Sequence, residues 1–118
     1  MGNQKGFTLI ELVVVIVVLG ILAAVAVPKF VDMKTEARLA ALDGVVGNIA
    51  SASAINYAAQ SVSAGKGSTT AGKTCQVAAT ALLDGGVPDG YTLDGNVPGC
   101  TVVQANGTSK SVNILSVN

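Results

Sequence analysis

The chain has 118 residues, half of them hydrophobic, and its seven basic and seven acidic side chains cancel. It contains no His and no Trp, and aromatic residues make up only 3% of it. The commonest general base and metal ligand is therefore missing, and no basic surface interleaved with aromatics is available. Enzyme chemistry, a bound cofactor and sequence-specific nucleic-acid binding are disfavoured, and the length suits one compact domain plus an anchor.

A short polar leader ending in Lys5 precedes Gly6, and residues 7–27 then run almost without a polar break from Phe7 to Val27. As a helix this segment is roughly 31 Å long at about 1.5 Å per residue, close to the ~30 Å hydrocarbon core of a bilayer. One carboxylate, Glu11, interrupts it. An acid costs up to a few kcal/mol at the middle of a bilayer and less near its edge, so Glu11 requires a partner. An ordinary single-pass anchor needs neither Glu11 nor a glycine before the run. A secretory signal is the stronger rival, because Ala24-Val25-Ala26 is an A-x-A pattern that places a cut before Val27. Against it, the apolar region exceeds the usual 7–15 residues and carries an acid.

Past Pro28 the spacing predicts an amphipathic helix over 29–61. Val31, Leu39, Leu42, Val45, Val46, Ile49 and Ala52 recur at three- and four-residue steps, while Lys29, Asp32, Lys34, Glu36, Arg38 and Asp43 fall mainly outside that stripe. The stripe reads as a core face laid against a sheet. Gly44 and Gly47 each cost about 1 kcal/mol against Ala but allow close approach of another element.

Residues 62–74 read as a solvated loop rich in Ser, Gly, Thr and Lys. Gly67-Ser68-Thr69-Thr70-Ala71-Gly72-Lys73-Thr74 matches the phosphate-loop pattern letter for letter. A working phosphate loop sits between a buried strand and a helix N-terminus. The residues before Gly67 form no apolar strand, and too little chain follows to build a doubly wound sheet. The match is read as chance.

Residues 75–118 hold both cysteines, Cys75 and Cys100. An exported domain with a thin core commonly bridges such a pair, and closing a loop of this length would contribute roughly 3 kcal/mol in the chain-entropy model. Two free thiols are the alternative; a zinc site would need two further ligands. Gln76 to Leu83 reads as two helical turns. Asp84-Gly85, Asp89-Gly90 and Asp94-Gly95 follow at five-residue spacing and read as three turns. Tyr91–Leu93, Cys100–Gln104 and the alternating Ser111–Val117 read as strands, with Asn106-Gly107 as a hairpin turn. The predicted class is α+β: a long N-terminal helix on a small antiparallel sheet, wet on its other face. Asn106-Gly107-Thr108 also spells a glycosylation sequon, which the turn explains better.

The sequence Gly6, then Phe7-Thr8-Leu9-Ile10-Glu11 after a leader with Lys5, then Gly20 and Pro28, resembles the N-terminus of type IV pilins and related pseudopilins. The wording of residues 13–22 and of Pro28-Lys29-Phe30 is most similar to pilins of the mannose-sensitive haemagglutinin type. The resemblance implies a leader (1–6), a transmembrane and polymerisation helix (7–28) and a pilin head (29–118). It implies cleavage between Gly6 and Phe7 by a prepilin peptidase on the cytoplasmic face, followed by N-methylation of Phe7; Lys5 fits that orientation. It implies that Glu11 faces the freed amine of a neighbouring copy. Such a contact at about 4 Å is worth about 4 kcal/mol at an effective dielectric near 20, offset by desolvation, so it sets register more than stability. In similar pili the stretch between Gly20 and Pro28 is partly unwound.

Many type IV pilins carry a C-terminal disulfide and the major pseudopilins usually lack one, so Cys75 and Cys100 favour a pilus subunit. Some pseudopilins bind calcium in the head, which makes Asp84, Asp89 and Asp94 weak candidates, although their spacing is not that of a standard calcium loop and no Glu completes it. The expected function is a homopolymeric fibre subunit, held in the inner membrane and then assembled by the pilus machinery for adhesion, motility or DNA uptake. The alternatives are a type II secretion pseudopilin and a small periplasmic binding module released after Ala26. No catalytic residue is expected.

Overall fold

A computed structural model describes residues 6–118; the leader residues 1–5, with Lys5, lie outside them. The chain divides into two units, one reaching Ala37 and the other running from Arg38 to Asn118. Helix α1 covers Leu9–Val62, with Pro28 inside it.

In the first unit α1 keeps its helical pattern through Gly20 and Pro28. Pro28 lacks the N–H that would bond one turn back, so this point is the weakest of the ladder, yet the chain retains the helix there. The side chains from Phe7 to Ala37 are exposed on every side.

The second unit has a core. Leu42 and Ile49 of α1 are 2% and 0% exposed, and they join Ala78 and Ala79 of helix α2 (Cys75–Leu82) in one cluster with Leu93, Val102, Val112 and Ile114. Val45 and Val46 pack at its margin. Val31 and Leu39, which share the predicted stripe, are exposed. The sheet is antiparallel, in the order β1 (Tyr91–Asn96), β2 (Gly99–Gln104), β3 (Ser109–Asn113). Leu93 pairs with Val102 and Cys100 with Val112, so alternate residues enter the core while their neighbours face outward.

The turns depart from expectation in one place. Asp94-Gly95 lies within β1, paired with Thr101 and Cys100, and the reversal comes later, at Val97-Pro98 with a cis peptide bond. Gly95 is still required. Its φ is +98°, and a Cβ there would lie 2.6 Å from the Gly99 carbonyl oxygen. Asn106-Gly107 does form the second hairpin: the Gly107 N–H donates to the Gln104 carbonyl at 2.8 Å, and Gly107 takes φ +89°.

The predicted third strand is shortened. The Ile114 N–H donates to the Pro98 carbonyl at 3.0 Å, and the chain then leaves the sheet for the helix. There the Leu115 N–H donates to the Ser53 hydroxyl at 2.7 Å, and Thr70 Oγ1 accepts from the Val117 N–H at 2.9 Å while donating to the Leu115 carbonyl at 2.8 Å. The predicted solvated loop is fastened by the same helix face. The Asn56 side-chain amide exchanges two bonds with the Ser68 backbone, at 2.6 and 2.8 Å, and Gln60 Oε1 accepts from the Gly65 and Gly67 N–H groups. Ser53, Asn56 and Gln60 continue the stripe of Leu42 and Ile49 in polar form, so this face changes from a core to a clasp along the helix.

Candidate functional site

The N-terminal segment concentrates the features that call for a partner. Thr8 stands immediately before α1 and Glu11 is its third residue, the spacing of a capping box. Both bonds of the box are made. The Glu11 N–H donates to Thr8 Oγ1 at 3.3 Å, and the Thr8 N–H donates to Glu11 Oε2 at 3.2 Å. Two otherwise orphaned donors of the helix start are satisfied, and the negative carboxylate sits at the positive end of the helix dipole. Threonine followed three residues later by glutamate, just ahead of an apolar run, announces this cap in the sequence. Attention to Glu11 as an intermolecular group alone passes it over.

The cap fixes where the helix begins. Gly6 and Phe7 precede it in non-helical backbone, and Phe7 is 92% exposed. The peptide bond between them is thus open to solution. Beyond it, the first part of α1 is long and apolar enough to cross a membrane, with none of that window buried. A helix apolar all round and uncovered in its own subunit must be covered by lipid or by other protein. Gly20 lies on this segment with nothing within 4 Å of a Cβ built on it.

The candidate sites in the head resolve differently. Cys75 and Cys100 form a disulfide with a Cα–Cα distance of 5.6 Å, joining the first residue of α2 to β2. Asp84 follows α2, Asp89 precedes β1 and Asp94 lies within β1; all three are exposed. Among the described residues, no three His, Cys, Asp or Glu side chains gather as a metal-binding group. The stretch with the phosphate-loop spelling is committed to the clasp. The N–H groups of Gly67 and Ser68 go to Gln60 and Asn56, those of Thr70 and Ala71 to the Val117 carbonyl, and Thr70 is fully buried. Those amides cannot cradle an anion while bonded there.

Comparison with known proteins points to the same end of the chain. Residues 1–27 match the family described as the prokaryotic N-terminal methylation motif. The type IV narrow pilus major component PilA5 of Thermus thermophilus is 53% identical over 53 residues, 45% of this chain and 46% of that protein. The type IV major alpha-pilin of Moraxella bovis is 48% identical over 44 residues, covering 37% of this chain and 28% of that one. The type II secretion system core protein G of Pseudomonas aeruginosa is 46% identical over 50 residues, 42% of this chain and 35% of its own. The chain thus aligns with less than half the length of these curated relatives. No solved structure matches. The similarity lies in the N-terminal segment, which resembles that of type IV pilins and of a type II secretion core protein.

Proposed function

We propose that the chain is a structural subunit of a type IV pilus. The observation that carries the proposal is an apolar helix uncovered on all sides, opened by the Thr8–Glu11 cap directly after the exposed Gly6–Phe7 bond. In this account a prepilin peptidase removes residues 1–6 and methylates the amine of Phe7. The subunit waits in the inner membrane with 7–28 in lipid, and the assembly machinery then draws it into an extracellular fibre. In lipid the apolar surface is already dry, so a bundle of such helices is the arrangement that keeps it dry outside the membrane. Glu11 pairs with the Phe7 amine of another copy and fixes the axial register. Gly20 and Pro28 are the points at which the helix gives way in the fibre. The head, stapled by Cys75–Cys100, faces outward, and the fibre serves adhesion, motility or DNA uptake. The finer likeness to mannose-sensitive haemagglutinin pilins rests on residues 13–22 and 28–30.

A secretion pseudopilin is the second reading, favoured by the similarity to the core protein G of Pseudomonas aeruginosa. The disulfide weighs against it. Release after Ala26 is disfavoured because the helix runs unbroken through Ala24, Val25 and Ala26 to Val62, and because the apolar run is longer than a signal's usual 7–15 residues and carries an acid.

The Glu11→Ala variant tests the proposal. It should be cleaved normally, while the yield of sheared filaments falls sharply. Normal yield would contradict the pairing.

A further inference from the structure

The charged residues just past Pro28 sort onto two sides of α1. Asp32 and Glu36 lie one turn apart on one side, and Lys34 and Arg38 lie one turn apart on another. At about 100° per residue the two rows are about 160° apart, nearly back to back. All four residues are exposed. Asp43, seven positions beyond Glu36, continues the acidic row, and there Lys110 of β3 meets it in an ion pair. That is the one ion pair among the described residues. Lys34, Glu36 and Arg38 have no opposite charge three or four positions away, and Asp32 has only Lys29, at the edge of the acidic side. Like charges one turn apart weaken an isolated helix, so a lone subunit gains nothing from this arrangement.

Taking the chain as a fibre subunit, as proposed above, we infer that the acidic side, Asp32 and Glu36, docks on the basic side, Lys34 and Arg38, of a second copy. Each side offers two charges at the one-turn spacing that the other side also has. The centres of the two rows are two residues apart, about 3 Å along the axis, so parallel copies need only a small stagger to bring them abreast. The two sides are different surfaces, which makes the contact heterologous. Each copy uses one side on each neighbour, and with a stagger along the axis the contact propagates as an open filament instead of closing a dimer. Sides of the same sign repel, so a copy turned the wrong way about its axis is rejected. The apolar span is uncovered all round and favours no direction of approach. The charge rows supply that direction.

Charge exchange in the full chain tests the docking. Asp32→Lys with Glu36→Lys makes both sides basic, and Lys34→Glu with Arg38→Glu makes both acidic. Each pair of substitutions is expected to lower sheared-filament yield on the order of tenfold or more, normalised to the membrane-stored subunit by quantitative mass spectrometry. All four substitutions together exchange the two sides at unchanged net charge, and yield should return to near the wild-type level. Lys and Glu are both good helix formers, so none of these changes breaks α1. Wild-type yield from either pair, or a fourfold variant as poor as the pairs, overturns the docking while the fibre reading stands. A wild-type chain that forms no filament overturns the fibre reading and this inference together.

Discussion

Adding one methyl group at either of two glycines should change the stability of the head in opposite directions. A Cβ on Gly67 would lie 2.8 Å from the Asn56 carbonyl oxygen and 2.9 Å from Gln60 Cβ, both on the rigid face of α1. The helix backbone cannot retreat, so Gly67→Ala lifts the loop by roughly half an ångström, an overpacking cost of about 1–3 kcal/mol. The lift also stretches the Asn56–Ser68 and Gln60–Gly67 hydrogen bonds, each worth about 0.5–1.5 kcal/mol. The expected loss is about 2–4 kcal/mol, or on the order of 10 °C or more in Tm for a head of this size. Gly44 is the control: nothing lies within 4 Å of its built Cβ, and it stands inside a helix. Gly44→Ala should stabilise the subunit by about 0.5–1 kcal/mol through helix propensity alone. Both variants can be melted as the full chain in detergent with the disulfide intact, following the near-ultraviolet signal. A Gly67→Ala midpoint equal to wild type, or a lowered Gly44→Ala midpoint, would refute the packing described for the loop and the open helix face.

The clasp and the staple yield further expectations. Thr70→Val keeps the shape but strands the Val117 N–H and the Leu115 carbonyl, and should cost about 2–3 kcal/mol in urea denaturation. Ser53→Ala leaves the Leu115 N–H without its acceptor and should cost about 1–2 kcal/mol by the same measurement, without loss of fold. Replacing Cys75 and Cys100 together by Ser should cost about 3 kcal/mol, read against oxidised wild type in denaturant. Lys110→Ala should cost less than about 1 kcal/mol and should erase little salt dependence, because its partner Asp43 and Lys110 itself are half exposed. A large loss in Lys110→Ala would mean that this ion pair holds β3 to α1.

What the sequence discloses is what periodicity and spacing encode. The apolar run to Val27, the strand over Cys100–Gln104 and the turn at Asn106-Gly107 all appear in the structure where their patterns place them. The helical stripe is legible at Leu42 and Ile49 and misleading at Val31 and Leu39, because pattern shows which residues share a face and not where the covering sheet ends. Ser111–Val117 alternates like a strand to its end. The ladder nevertheless stops at Asn113, since the last backbone groups find better partners in Ser53 and Thr70. Such side-chain to backbone bonds follow no period, and for that reason residues 62–74 read as solvated although Thr70 is buried. Asp94-Gly95 carries a turn signature but is drawn into β1, where the Gly99 carbonyl needs the space that a side chain would fill. The Thr8–Glu11 cap was available from spacing alone.

Filaments sheared from cells that express the chain, analysed by intact and N-terminal mass spectrometry, decide whether the uncovered N-terminal helix is freed by a single cut and then built into a fibre. This chain should be a main filament component and should begin with N-methylated Phe7. A soluble, unassembled product, or one beginning at Val27 or anywhere other than Phe7, would contradict it.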